Sequence, residues 1–185
     1  MNVILIGMPG AGKSTVGVIL AKMLASAFLD TDLLIQERTG VPLCRTIESQ
    51  GIGAFLQIEE DTLCGMDIPG GRSGCVISTG GSVIYSRKAM ARMHRLGTVV
   101  YLKVGCEQLL SRLGDLRRRG VVLSEGETFQ QLYEERTRRY EEEADLVLDE
   151  GQMSLEQTVE ALYGSIMERK EQTTCKNGWD GFWRL

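Results

Sequence analysis

Residues 7–14, Gly-Met-Pro-Gly-Ala-Gly-Lys-Ser, fit the pattern G-x-x-x-x-G-K-[ST], and the apolar run Val3-Ile4-Leu5-Ile6 leads straight into them. A helical pattern follows over residues 13–24, with Val16, Ile19, Leu20, Met23 and Leu24 on one face. Strand, glycine-rich turn and helix in that order constrain the chain more than any other feature. The glycines let backbone N–H groups turn inward around phosphate oxygens, where a Cβ would block the approach. The helix N-terminus adds partial positive charge at the same place. Gly10, Ala11, Gly12 and Thr15 would supply the surrounding backbone. Lys13 would reach the β- and γ-phosphates of ATP, and the Ser14 hydroxyl would ligate Mg²⁺.

The rest of the chain alternates in the same manner. Short apolar runs at 27–29, 75–78, 99–102 and 146–148 read as strands. Helical patterns fall at 33–38, 43–50, 54–66, 87–96, 107–113 and 155–169. Such alternation implies an α/β fold with a parallel sheet covered on both faces. At 185 residues, 43% hydrophobic and 25% charged, the chain suits one domain with a sizeable core. Residues 1–171 form that domain in this reading. Residues 114–126, with Arg117, Arg118, Arg119 and flanking glycines, form a lid loop. Residues 172–185, with Trp179, Phe182 and Trp183, form an appended tail.

A net charge of −4 argues against nucleic acid as a partner. The apolar run at the start is too short for a membrane span and lacks a basic segment before it. None of the five cysteines stands in a C-x-x-C spacing, which points to reduced thiols and a cytoplasmic location. A monomer or weak dimer is expected.

Two further segments fall at strand ends, where open parallel sheets collect their ligands. Asp30-Thr31-Asp32 places two carboxylates beside the phosphate loop. One could hold the metal and one could accept a proton from an attacking hydroxyl; Asp32 could equally cap the next helix. Gly80 and Gly81 in Ser78-Thr79-Gly80-Gly81-Ser82 would turn backbone amides toward the same crevice.

The phosphate loop, the Leu29-Asp30-Thr31-Asp32 stretch and the Gly80-Gly81 turn, with their spacing, resemble shikimate kinase over residues 2–167. The resemblance implies a three-layer sandwich around a five-stranded parallel sheet, of the P-loop, nucleoside-monophosphate-kinase-like kind, with a lid that closes over ATP. It implies transfer of the γ-phosphoryl group to a hydroxyl of a small metabolite, shikimate first. By the same resemblance, Lys13 and Ser14 serve the phosphates and Mg²⁺, and Asp30 stands on the metal side. Asp32 binds the acceptor and acts as base, Arg112 stacks near adenine, and Arg119 touches phosphates and acceptor.

Departures from the family pattern fall on the acceptor side. In Gly51-Ile52-Gly53-Ala54-Phe55-Leu56, Leu56 stands where the family clamps the acceptor carboxylate with arginine. In Arg136-Thr137-Arg138-Arg139-Tyr140-Glu141, Glu141 takes the place of a second clamping arginine, and Ser82 replaces a third glycine. Arg45, Arg138 or Arg139 are candidate substitutes, with Arg139 and Glu141 on the substrate side. Losing one arginine and gaining a glutamate would favour an amine-bearing or neutral alcohol such as homoserine or a polyol. A nucleoside monophosphate acceptor, or a nucleotide-binding regulator without catalysis, are the other readings.

Overall fold

A computed structural model of the chain describes residues 1–114, 126 and 128–176, with side chains through 172. Most of the lid segment with Arg117, Arg118 and Arg119, and the tail aromatics Trp179, Phe182 and Trp183, lie outside the described residues.

Five strands, β1 (Asn2–Ile6), β2 (Ala27–Asp30), β3 (Cys75–Ser78), β4 (Gly97–Lys103) and β5 (Leu146–Asp149), form one sheet in the order β2-β3-β1-β4-β5. Every pairing is parallel, and β1 is central: Val3 aligns with Val76 of β3 and with Thr98 of β4. Val3 through Ile6 have no solvent exposure. Alternation sends Ile4 and Ile6 into one core with Leu63, Ile77, Met93 and Tyr101, and Val3 and Leu5 into another with Val16, Leu20, Val100 and Leu162. The continuous apolar run therefore marks a strand covered on both faces.

Helix α1 (Lys13–Met23) and α7 (Leu155–Lys176) cover the second core. Helices α3 (Leu43–Gly65), α4 (Arg87–Leu96), α5 (Cys106–Leu113) and α6 (Phe129–Glu143) supply side chains to the first. Helix α2 (Thr31–Thr39) leaves β2 and packs on α3. The helices expected over 43–50 and 54–66 are joined into α3 with a kink at Gly51, whose φ of 81° and ψ of 168° interrupt the helix. That combination is open only to glycine. Helix α7 runs past the expected stop at Arg169 to Lys176. Among the described residues, no helix is long and apolar enough to cross a membrane, and Cys44, Cys64, Cys75 and Cys106 are free thiols.

Candidate active site

The carboxyl ends of β1, β2 and β3 open into a cleft of about 890 Å³, whose floor is the loop after β1. Gly10 and Gly12 hold φ of 83° and 84°, the left-handed turns that curl this loop. Lys13 is buried, and its Nζ donates to Gly7 O at 2.8 Å and Met8 O at 3.0 Å. An ammonium carries three N–H donors, so one remains for a phosphate. Burial pulls the Lys13 amine down to about 8, against the opposing pull of Asp32 and Asp30. Ser14 and Thr15 are exposed at the cleft floor.

The two carboxylates of the β2 end divide as their positions dictate. Asp30, and not Asp32, caps α2: its Oδ1 accepts from the backbone N–H of Asp32 at 3.0 Å and of Leu33 at 3.4 Å. Asp32 is thereby placed one residue into the helix and lines the cleft, with a buried Oδ1 that has no partner. Burial pushes its carboxyl above the ordinary range, and Lys13 opposes that shift. Ser14 Oγ lies 3.2 Å from Ser78 Oγ, and Ser78 is the register partner of Asp30. Hydroxyl oxygens of Ser14 and Ser78 thus meet at the end of the strand next to the one that ends in Asp30, oxygen donors of the kind Mg²⁺ takes, although Asp30 itself does not line the cleft. With Asp30 Oδ1 occupied in the cap, the donors fit a metal that keeps several waters.

Gly80 and Gly81 form the β3 side of the cleft. A Cβ on Gly80 would strike Glu59 Oε1 and come within 2.9 Å of Asp32 Oδ1. One on Gly81 would meet Pro9 Cδ at 2.8 Å and Arg136 Nη1 at 3.2 Å. Both positions are bare because Glu59, Asp32, Pro9 and Arg136 crowd against them. Glu59 is 2% exposed; its Oε2 accepts from Ser82 Oγ at 2.6 Å, and its Oε1 has no partner. Burial raises its carboxyl to about 7.

Helix α6 corrects the reading of the arginine cluster. Its buried residues are Phe129, Leu132, Arg136 and Tyr140, a single stripe. Tyr140 stacks on Tyr101 and donates to Gly81 O at 2.5 Å. Arg136, 6% exposed, lines the cleft, donates through Nε to Tyr85 Oη at 3.2 Å and lies over the Tyr85 ring. Its Nη1 and Nη2 make no hydrogen bond among the described residues, which leaves a buried fork open toward the cleft. Glu141 is five residues on, about 140° around the helix, so it faces away. It takes Lys103 Nζ at 2.8 Å instead and is not part of the cleft. Arg139 is bound to Glu135 at 3.0 Å and rests over Tyr85 outside the lining. Arg45 is exposed and paired with Glu48. The cation lining the acceptor end is Arg136, a member of the arginine cluster from which the sequence favours Arg139; the i, i+3, i+7, i+11 spacing of Phe129, Leu132, Arg136 and Tyr140 is the signal that singles it out.

On the β4–β5 flank, Arg112 also lines the cleft and donates through Nη2 to the buried Glu150 at 3.1 Å. Glu150 carried no motif and went unremarked in the sequence. Phosphate loop, Asp32 and Arg136 are thus in one cleft with Arg112, Asp30 stands outside its lining as the cap of α2, and Arg119 lies outside the described residues.

The shikimate kinase family matches residues 9–167. The shikimate kinase of Thiobacillus denitrificans is 33% identical over 175 residues, 94% of each chain. The structure of shikimate kinase from Acinetobacter baumannii in complex with shikimate superposes with a TM-score of 0.79 at 28% identity, covering 91% of this chain and 94% of that one. Shikimate kinase from Aquifex aeolicus superposes with a TM-score of 0.77 at 29% identity over 92% and 98%. The fold is that of the P-loop, nucleoside-monophosphate-kinase-like enzymes, and by motif, sheet and overall match the chain belongs to the shikimate kinase family.

Proposed function

We propose that this chain transfers the γ-phosphoryl group of ATP to a hydroxyl of shikimate. The observation that carries this reading is the open guanidinium fork of Arg136, buried at the acceptor end of the cleft that holds the phosphate loop and Asp32. A desolvated arginine fork is matched best by a carboxylate bound through both oxygens. With Glu141 turned to Lys103, the case for an amine-bearing acceptor loses its ground.

The chemistry is positioning and charge stabilisation. Asp32 orients the acceptor hydroxyl and takes its proton as that oxygen bonds to the γ-phosphorus. The bond to the β,γ-bridging oxygen breaks, and the charge departs on ADP. Lys13 donates to the phosphates across the transfer. Mg²⁺ would be held by the Ser14 hydroxyl, with Asp30 on its side of the site, and would supply neutralisation of phosphate charge. Arg119 is assigned a share of that stabilisation from sequence, and Arg119→Ala is expected to lower kcat by as much as roughly 10³–10⁵, as for arginine fingers. Gly80 and Gly81 keep the acceptor side open, and Arg112 borders the nucleotide end.

The test is ADP release by the purified chain with Mg²⁺ and shikimate. Asp32→Asn should lower kcat by on the order of 10²–10⁴ at little changed KM, the range of a general base. Arg136→Met should raise the shikimate KM by on the order of 10²-fold, since losing one member of a desolvated pair costs about 2–5 kcal/mol. Full activity in both variants would overturn the reading, and loss of ATP binding in neither would be expected.

A further inference from the structure

The lining of the cleft changes character with the element that supplies it. Arg136, Asp32 and Ser82 come from α6, α2 and the β3 loop, whereas α3 contributes only apolar side chains, Leu43, Ile52, Phe55 and Leu56. No second cation reaches the acceptor end among the described residues. Arg45 is turned to Glu48 with its side chain 73% exposed, and Arg139 is held by Glu135. Glu59, three residues along α3 from Leu56, reaches past this apolar wall to the β3 loop: its Oε2 accepts from Ser82 Oγ and its unpartnered Oε1 lies beside Gly80 and Asp32. Leu56 itself therefore presents only an apolar side chain to the cleft.

We infer that Leu56 determines acceptor specificity: among the described residues Arg136 is the cation that holds the carboxylate, and Leu56 with Leu43, Ile52 and Phe55 forms a wall that receives an alkyl substituent of the acceptor. The substrate class is hydroxylated carboxylic acids bearing an apolar group, of which shikimate is the unsubstituted member. The inference rests on the shikimate kinase reading above. Each methylene buried against such a wall is worth about threefold to fourfold in binding. A polar side chain in its place would reject the same group.

The test compares kcat/KM for shikimate with that for its mono-O-methyl ethers at the 4- and 5-hydroxyls, in the wild-type chain and in Leu56→Arg and Leu56→Ala. In the wild type, at least one ether should be used within about threefold of shikimate or better. Leu56→Arg should lower the shikimate KM about tenfold through the new fork, and reduce the ether-to-shikimate ratio about thirtyfold or more. Leu56→Ala should reduce that ratio about threefold by removing wall area, so the answer does not hang on the folding of the arginine variant. A ratio unmoved in both variants, or a wild type that rejects both ethers by about a hundredfold while turning over shikimate, overturns the inference. A wild type that binds ATP and turns over neither compound overturns the shikimate reading itself.

Discussion

Glu59 shows what one residue costs the fold for the sake of the cleft. Its carboxyl is raised from an ordinary 4.5 to about 7, first by burial, with the Ser82 hydroxyl pulling the other way. A carboxyl that holds its proton more tightly when folded contributes fully below its unfolded value and loses that contribution as pH rises through the folded value. Between about pH 4.5 and pH 7, then, the chain should lose on the order of 3 kcal/mol through this group. Glu59→Gln keeps an oxygen for Ser82 and removes the titration. Chemical denaturation at pH 5 and pH 8 should show the wild type falling by about 2–3 kcal/mol more than the variant. Equal slopes would mean that Glu59 is hydrated in the folded state.

At the scale of the element, α6 and α3 set the acceptor end. Helical rotation predicts opposite outcomes for two neighbouring charges. Arg136→Met should be severe, as argued above. Glu141→Arg breaks only the half-exposed pair with Lys103 and should change the shikimate KM by less than about twofold and stability by no more than about 1 kcal/mol. A large KM effect from Glu141→Arg would place that helix face in the site. On α3, Gly51→Ala forces a Cβ into a backbone region open only to glycine, at a cost of about 1–3 kcal/mol in unfolding free energy, although nothing stands near the new methyl. Because the kink aims Ile52, Phe55 and Leu56, its acceptor KM should rise as well. The contrast between helices explains what could be read from the chain. The strands and the phosphate loop were legible because their signals are local: an apolar run, then glycines at fixed offsets. The acceptor end depends on which face of α6 turns inward and on which arginine meets Tyr85. Aligning residues along a motif treats Arg136, Arg139 and Glu141 as near equivalents, whereas helical rotation separates them. Asp30 and Asp32 show the same limit, since only the cap geometry decides which one faces the cleft.

At the scale of the whole molecule, the central strand delivers Lys13 to the point where both halves of the cleft meet, and that position opposes stability to function. Desolvation lowers the Lys13 amine from 10.5 to about 8, so the folded state carries a charge it holds unfavourably. Lys13→Met removes that charge and leaves the Gly7 and Met8 carbonyls at the cleft floor. The unliganded variant should therefore be no less stable than the wild type at pH 7. Above pH 8 the wild type should gain stability as the folded amine loses its proton, up to the unfolded value near 10.5, and the variant should not. Ligand binding reverses the ranking. Mg-ATP at about one hundred times its dissociation constant stabilises by about 2.7 kcal/mol, and for a domain of this size each kcal/mol moves Tm by roughly 2–4 °C. The wild type should shift upward by about 5–10 °C, and Lys13→Met should lose most of that shift because the phosphates lose their buried cation. Thermal unfolding with and without Mg-ATP reads both halves of the argument at once. A variant that melts lower when unliganded yet keeps the full shift would show that Lys13 braces the loop and does not bind the nucleotide.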